Sequence, residues 1–296
     1  MLPAINFNRT IDTGVGGPRR YNVIKVTLDG PLERKCRFRG KASMIVEERR
    51  AQLKTKVDTL VQHKDRDWAV ANFLPTVRDL IEMTQATTVL EVGGGRAPYL
   101  DKATIDRLGL RYTCNDISAH ELSLAPDWVD TALFDIQTPD KSEIAPYLNK
   151  YDFAFSKWVM EHVADYQRAY TNIYDILSDG GIYIAYHPLQ YAAPFVLNQM
   201  IPEKLSAPLL RAIFPNRNDD DTPKFPAHYS GCRISQTVRD NIRAIGFSQV
   251  WQMPFYGHAY YSKFPVIRDI HKMVTRQLRD ADVSLLAAFA YTIVQK

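Results

Sequence analysis

The chain has 296 residues, of which 46% are hydrophobic and 24% charged, with a net charge of +4. That is the profile of a soluble globular protein; it excludes a disordered chain, a collagen-like repeat and a disulfide-dense miniprotein. Cys36, Cys114 and Cys232 lie far apart, with neither a CxxC pair nor a zinc spacing, which points to a reducing compartment and a cytoplasmic location.

Residues 1–65 read as a basic N-terminal extension that ends in a helix. Residues 1–60 hold 13 Lys/Arg against 6 Asp/Glu, and the basic density peaks at residues 33–41. Such a run is either a solvated surface or a contact for an anionic partner. No zinc-finger, RNP or helix-turn-helix signature accompanies it, so nucleic acid is not expected as a partner. The opening MLPAINFNRT is too polar for a secretory signal. The longest apolar run, 285–294, is half the ~20 residues of a membrane span, so no transmembrane segment is expected. One strand is expected at 21–28. A helix over 43–63 follows, with Ile45, Leu53, Val57 and Leu60 on one face. A second, over 66–84, places Ala69, Phe73, Val77 and Leu80 at helical spacing.

From residue 87 the pattern becomes regular. Short β-rich runs fall at 88–92, 111–115, 131–134, 151–155 and 182–186, and helical stretches at 99–108, 141–149 and 165–177 separate most of them. This alternation predicts an α/β fold: a doubly wound, mostly parallel sheet with helices on its faces. After His187 the rhythm breaks. Residues 188–232 are rich in proline and aromatics, too long for a plain connection, and predict a substrate cap. A helix at 235–245, a strand near 248–254, a helix near 266–280 and a last strand over 286–294 complete seven strands. The three aspartates at 219–221 read as a solvated loop, and no metal site is expected.

The central motif is Glu91-Val92-Gly93-Gly94-Gly95-Arg96-Ala97, an apolar strand running into a glycine turn and then a helix. Glycines allow positive φ and close approach of the backbone to a ligand, and a following helix offers free N–H groups. Pro98 stands where a dinucleotide fingerprint needs its third glycine, which weakens that reading. Asp116, 23 residues after Gly93, ends the second strand and suits the two hydroxyls of a ribose. Asp135 ends the third strand and suits an adenine amino group; Ser156 ends the fourth.

These segments together resemble class I S-adenosylmethionine-dependent methyltransferases. Glu91–Ala97 resembles their first motif, Asn115-Asp116-Ile117 the ribose-binding position, and Phe134-Asp135-Ile136 the adenine-contacting pair. The run from Tyr151 through Ser156, Lys157, Glu161 and His162 to Val163 resembles the "FDLVxSxxVLEHV" segment of small-molecule members. Leu177-Ser-Asp-Gly180-Gly181 is similar to their "LKPGG" turn. The sequence departs at Ala97, where many members have a third glycine. The resemblance implies a seven-stranded sheet whose last strand is antiparallel and inserted next to the fifth. It makes residues 66–296 a methyltransferase domain with cap insertions at 188–232 and 255–284. It also implies S-adenosylmethionine as cofactor, held by Glu91, Gly93, Gly94, Gly95, Asp116, Ile117, Asp135, Ile136, Ser156 and Lys157. The competing readings are an NAD- or nucleotide-sugar-binding oxidoreductase and a non-catalytic binding protein of methyltransferase-like fold.

Methyl transfer to a hydroxyl calls for a base. His162, just beyond the fourth strand, is the candidate, while its neighbour Glu161 is read as contacting the cofactor or orienting the pocket. Phe225-Pro-Ala-His228-Tyr229-Ser-Gly-Cys232-Arg233 resembles an "FPAYYR" stretch of methyltransferases from bacterial polysaccharide and glycan gene sets. His228, Tyr229 and Arg233, together with His187, are the expected acceptor-site residues. Tyr256, His258, Tyr260 and Tyr261 are further aromatics and a histidine read as rim or packing. The expected acceptor is a small polar molecule or a sugar, with anionic examples included, methylated at oxygen.

Overall fold

The computed structural model describes residues 48, 50–192, 226–259 and 265–296. The expected strand at 21–28, the basic run at 33–41, the aspartates at 219–221, most of the first cap insertion, and Tyr260 and Tyr261 lie outside them.

Seven strands form one sheet in the order β3-β2-β1-β4-β5-β7-β6. They are β1 (Thr88–Val92), β2 (Arg111–Asp116), β3 (Asp130–Leu133), β4 (Tyr151–Lys157), β5 (Leu177–Pro188), β6 (Gln249–Phe255) and β7 (Phe289–Gln295). The first five are parallel, and β7 runs antiparallel between β5 and β6. The inner strands are apolar on both faces, as a sheet covered on both sides requires; all five residues of β1 and all seven of β7 are buried. The strand order reverses at β1, which opens a crevice at the carboxyl ends of β1 and β4.

The helices are α1 (50–60), α2 (Arg66–Thr84), α3 (Lys102–Leu108), α4 (Ala119–Ser123), α5 (Lys141–Ile144), α6 (Tyr166–Ile176), α7 (Gln236–Ile245) and α8 (Pro265–Asp280). Leu53, Val57 and Leu60 of α1 are buried in the same core as Phe73 and Leu80 of α2 and Leu90 of β1. Asp65 caps α2 by accepting from the Asp67 and Trp68 N–H groups. Two differences from the sequence reading have local causes. β5 begins at Leu177 rather than 182, because Gly180 (φ +74°) and a register shift against β4 absorb the Ser178–Gly181 turn within the strand. The helix expected from 99 begins only at Lys102. Pro98 disfavours a helical Ala97, and Asp101 takes the Thr104 N–H as the cap.

No helix among the described residues is long and apolar enough to cross a membrane. Cys114 and Cys232 are buried free thiols.

Candidate active site

The glycine turn leaves β1 at the strand-order reversal, and each of its glycines meets a different neighbour. Gly93 has φ +72°, and a Cβ there would stand 2.5 Å from Val159 Cγ2. Gly94 lies against the Glu91 carboxyl and the Cys114 sulfur, and its N–H donates to the Asn115 carbonyl at 3.0 Å. Gly95 has φ +49°, with Asp116 Oδ2 3.1 Å from the position of a Cβ. The turn is therefore stitched to β2 and brought against the Asp116 carboxylate. The N–H groups of a helix start do not follow it directly, as the sequence had implied.

Below the turn, Glu91 is buried and its oxygens are used internally. They accept from the Tyr99 N–H at 3.0 Å and from the Tyr112 hydroxyl. Burial raises its pKa to about 7, opposed by those hydrogen bonds and by the charge of Lys157. Lys157 Nζ sits 4.5 Å from the Tyr99 ring centroid and 4.8 Å from that of Trp158. Its pKa is lowered, first by burial, with Glu91 opposing.

At the end of β2, Asp116 Oδ1 accepts from the Ser118 N–H at 2.8 Å, and burial raises its pKa. Ile117 next to it is 59% exposed, an apolar side chain left open beside a carboxylate. Asp135 accepts from the Gln137 N–H at 2.9 Å, and Ile136 is buried. The Ser156 hydroxyl is buried and paired with the Tyr183 hydroxyl at 2.6 Å.

After β4 the chain makes a sharp turn. Trp158 has φ +60°, a conformation rare for a bulky residue, and its N–H donates to the Tyr186 carbonyl at 2.8 Å. The next turn, Met160–His162, is clamped by the 226–233 loop. The Glu161 carbonyl accepts from the N–H groups of His228 (2.7 Å) and Tyr229 (3.0 Å). The Val163 carbonyl accepts from Ser230 Oγ at 2.7 Å. His162 Nδ1 lies 2.9 Å from the Pro226 carbonyl. A carbonyl only accepts, so Nδ1 carries a proton. Nε2 is 4.0 Å from Glu161 Oε1. The Glu161 side chain is 9% exposed, its Oε2 has no hydrogen-bond partner, and burial raises its pKa to about 8.

The structure thus joins His228 and Tyr229 to Glu161 and His162 through the backbone. It does not bring His187 to them. His187 is buried, with Nδ1 3.1 Å from the Pro188 carbonyl and Nε2 3.0 Å from Thr292 Oγ1. Burial lowers its pKa to about 4. β5 continues through Pro188, paired with β7, so the position expected at a pocket rim is inside the sheet. The carbonyl of Arg233 accepts from Gln252 Nε2 at 3.1 Å. Arg66 and Tyr186, close to this edge of the sheet, were not singled out by the sequence: each sits in an apolar periodic segment that reads as core.

Residues 90–185 match the family described as "Methyltransferase domain". Over those residues, about a third of the chain, the protein is similar to a methyltransferase domain. Its β-order and antiparallel β7 are the topology the sequence resemblance implied. The family match favours the methyltransferase reading, with S-adenosylmethionine as cofactor, over the oxidoreductase one. The residues present fit that cofactor: a glycine turn at Gly93–Gly95 that side chains would fill, a carboxylate beside it, and an open apolar side chain next to the carboxylate.

Similar solved structures include a SAM-dependent methyltransferase from Archaeoglobus fulgidus, at 14% identity and TM-score 0.44, covering 78% of this chain and 100% of that one. An S-adenosylmethionine-dependent methyltransferase from Mesorhizobium loti has 16% identity and TM-score 0.44, covering 71% and 91%. A phosphoethanolamine N-methyltransferase 2 from Haemonchus contortus, in complex with S-adenosyl-L-methionine, has 13% identity and TM-score 0.42, covering 71% of this chain. The present chain spans about half of that protein, 48%. No curated protein sequence matches the chain.

Proposed function

We propose that this protein transfers a methyl group from S-adenosylmethionine to a hydroxyl oxygen of a small polar molecule or sugar, with His162 as the base. The observation that carries the reading is the fixed tautomer of His162. The Pro226 carbonyl holds the proton on Nδ1, so Nε2 is the basic atom, just beyond β4. S-adenosylmethionine, when bound, supplies the methyl electrophile. Gly93–Gly95 would give it backbone access, Asp116 would accept from its ribose hydroxyls, and Ile117 would lie against its adenine. Asp135 would accept from the adenine amino group, and Lys157 lies over the aromatic rings beside the turn. The chain's own contribution to the chemistry is alignment of acceptor and methyl, together with removal of the hydroxyl proton at Nε2. The clamp of the 226–233 loop on Glu161–Val163 supports this assignment, because it fixes the ring at both backbone and side chain. Arg233 is the group proposed to favour anionic acceptors.

Calorimetry with S-adenosylhomocysteine tests the cofactor part. Asp116→Ala should weaken binding by about 1–3 kcal/mol, the loss expected for hydrogen bonds to a charged group. Unchanged affinity in the variant, or NAD bound more tightly than S-adenosylhomocysteine by the native chain, refutes the assignment.

A further inference from the structure

Three buried polar atoms gather at one end of the sheet with no hydrogen-bond partner among the described residues: Glu161 Oε2, the Tyr186 hydroxyl and Arg66 Nε. Native proteins pair nearly all such atoms, because leaving one unpaired costs about 1–3 kcal/mol. A group of three with different chemistry, at the carboxyl ends of parallel strands, is where an absent ligand would complete the pairing.

Arg66 is held there by the fold. Its N–H donates to the Tyr256 carbonyl at 3.0 Å, and the Tyr256 N–H donates to the Lys64 carbonyl at 2.8 Å, tying the start of α2 to the end of β6. The Tyr291 hydroxyl donates to the Ala69 carbonyl and fixes the first turn of the helix over β7. The guanidinium carbon lies 5.9 Å from the Phe289 ring centroid, and Nη1 pairs with Asp67 at 2.5 Å. Asp67 is 82% exposed, so this pair is a weak, solvent-screened one.

The floor between Arg66 and Glu161 is aromatic. Phe289 is 5.7 Å from Tyr186, and Tyr186 is 6.1 Å from Trp158. Trp158 in turn carries Lys157 at 4.8 Å, beside the glycine turn. After burial, the strongest influences on the Tyr186 hydroxyl are the charges of Arg66, Asp67 and Glu161. Tyr186 and the Arg66 guanidinium thus share Phe289 as a neighbour, at 5.7 and 5.9 Å, and the Tyr186 hydroxyl also feels the Glu161 carboxyl. That carboxyl is close to His162, whose Nε2 is 4.0 Å from Glu161 Oε1.

We infer that Glu161, Tyr186 and Arg66 form the acceptor site, and that it takes a small amphoteric acceptor lying across Tyr186. The acceptor's hydroxyl faces Glu161 and His162, and an oxyanion at its other end faces Arg66. The inference rests on the methyltransferase reading and deepens it. Glu161 donates to the acceptor's oxygen and orients it, leaving the hydroxyl proton to His162 Nε2. Arg66 donates to the oxyanion through Nε and its remaining N–H groups. The aromatic floor favours a planar or compact apolar body between the two ends.

The test uses the full chain saturated with S-adenosylhomocysteine, titrated calorimetrically with three matched probes. These are 4-hydroxyphenylacetate, which has both groups, 4-methylphenol, which has only the hydroxyl, and phenylacetate, which has only the oxyanion. A fourth probe, 4-hydroxybenzylphosphonate, distinguishes a phosphoryl from a carboxylate preference. The two-group probes should bind about tenfold or more tighter than either single-group probe, the effect of one charge-assisted hydrogen bond. Arg66→Gln should reduce 4-hydroxyphenylacetate to the affinity of 4-methylphenol and leave S-adenosylhomocysteine binding unchanged, which also shows that the variant is folded. Glu161→Ala should weaken all three hydroxyl-bearing probes and spare phenylacetate. Equal affinity for all probes, including no detectable binding of any, overturns the inference, as does a preference that survives Arg66→Gln. Failure of the native chain to bind S-adenosylhomocysteine instead refutes the cofactor reading, so the two failures are separable.

Discussion

Replacing Glu161 by glutamine should stabilise the ligand-free protein in alkali and leave it nearly unchanged in acid. The Glu161 side chain is 9% exposed, and burial raises its pKa from an ordinary 4.5 to about 8. A carboxyl whose folded pKa lies above its unfolded value costs stability wherever the unfolded chain ionises it, and costs nothing while it is protonated in both states. Below about pH 4.5 it therefore imposes no penalty. As pH rises toward 8 the unfolded chain releases the proton and the folded chain does not, and stability falls. Above 8 the full penalty holds. At 1.36 kcal/mol per unit, the loss is about 3 kcal/mol at pH 7 and about 5 kcal/mol at pH 9. A glutamine carries no charge at any of these values, and any fixed loss from burying its amide is independent of pH. Glu91, raised by burial to about 7, slopes the same way in both proteins and cancels. Urea unfolding followed by tryptophan fluorescence at pH 5, 7 and 9 measures the difference. The variant should gain about 4 kcal/mol on the native protein between pH 5 and pH 9. Parallel pH profiles for the two proteins would refute the reasoning, because they would mean that Glu161 is hydrated or paired.

His162→Ala should lower turnover by about 10²–10⁴-fold, less at high pH where solvent base substitutes, while S-adenosylhomocysteine affinity stays within twofold, at about the precision of calorimetry. Near-native turnover at neutral pH would move the base elsewhere or show an acceptor that needs none. Gly93→Ala should destabilise the fold by about 2–4 kcal/mol, from a residue forced to positive φ and a Cβ 2.5 Å from Val159. Gly93→Ala with Val159→Ala should recover only the steric part, and urea midpoints of the two variants that coincide with the native one would contradict the turn geometry.

Much of this protein was legible in the sequence because it is written locally. Strands such as β1 and β4 are short apolar runs, the glycine turn breaks the pattern after Val92, and Asp116 falls at the end of β2 by simple spacing. Periodicity alone gave α2 over residues 66–84 without error in its bounds. Helix starts were less legible, since Pro98 and the cap at Asp101 moved α3 away from the turn. What only the tertiary structure decided is which side chains are left unpaired and which meet. His187 looked like a rim residue from its place after a strand, but the pairing of β5 with β7 through Pro188 puts it inside the sheet. Arg66 and Tyr186 are 120 positions apart and carry no motif. They come within reach because the start of α2 is tied to the end of β6, and β6 is tied through β7 to β5. Glu161 is named by the sequence as a neighbour of His162, but its isolation is a property of its surroundings. Burial and the absence of a partner are sums over distant segments, and local pattern does not encode them.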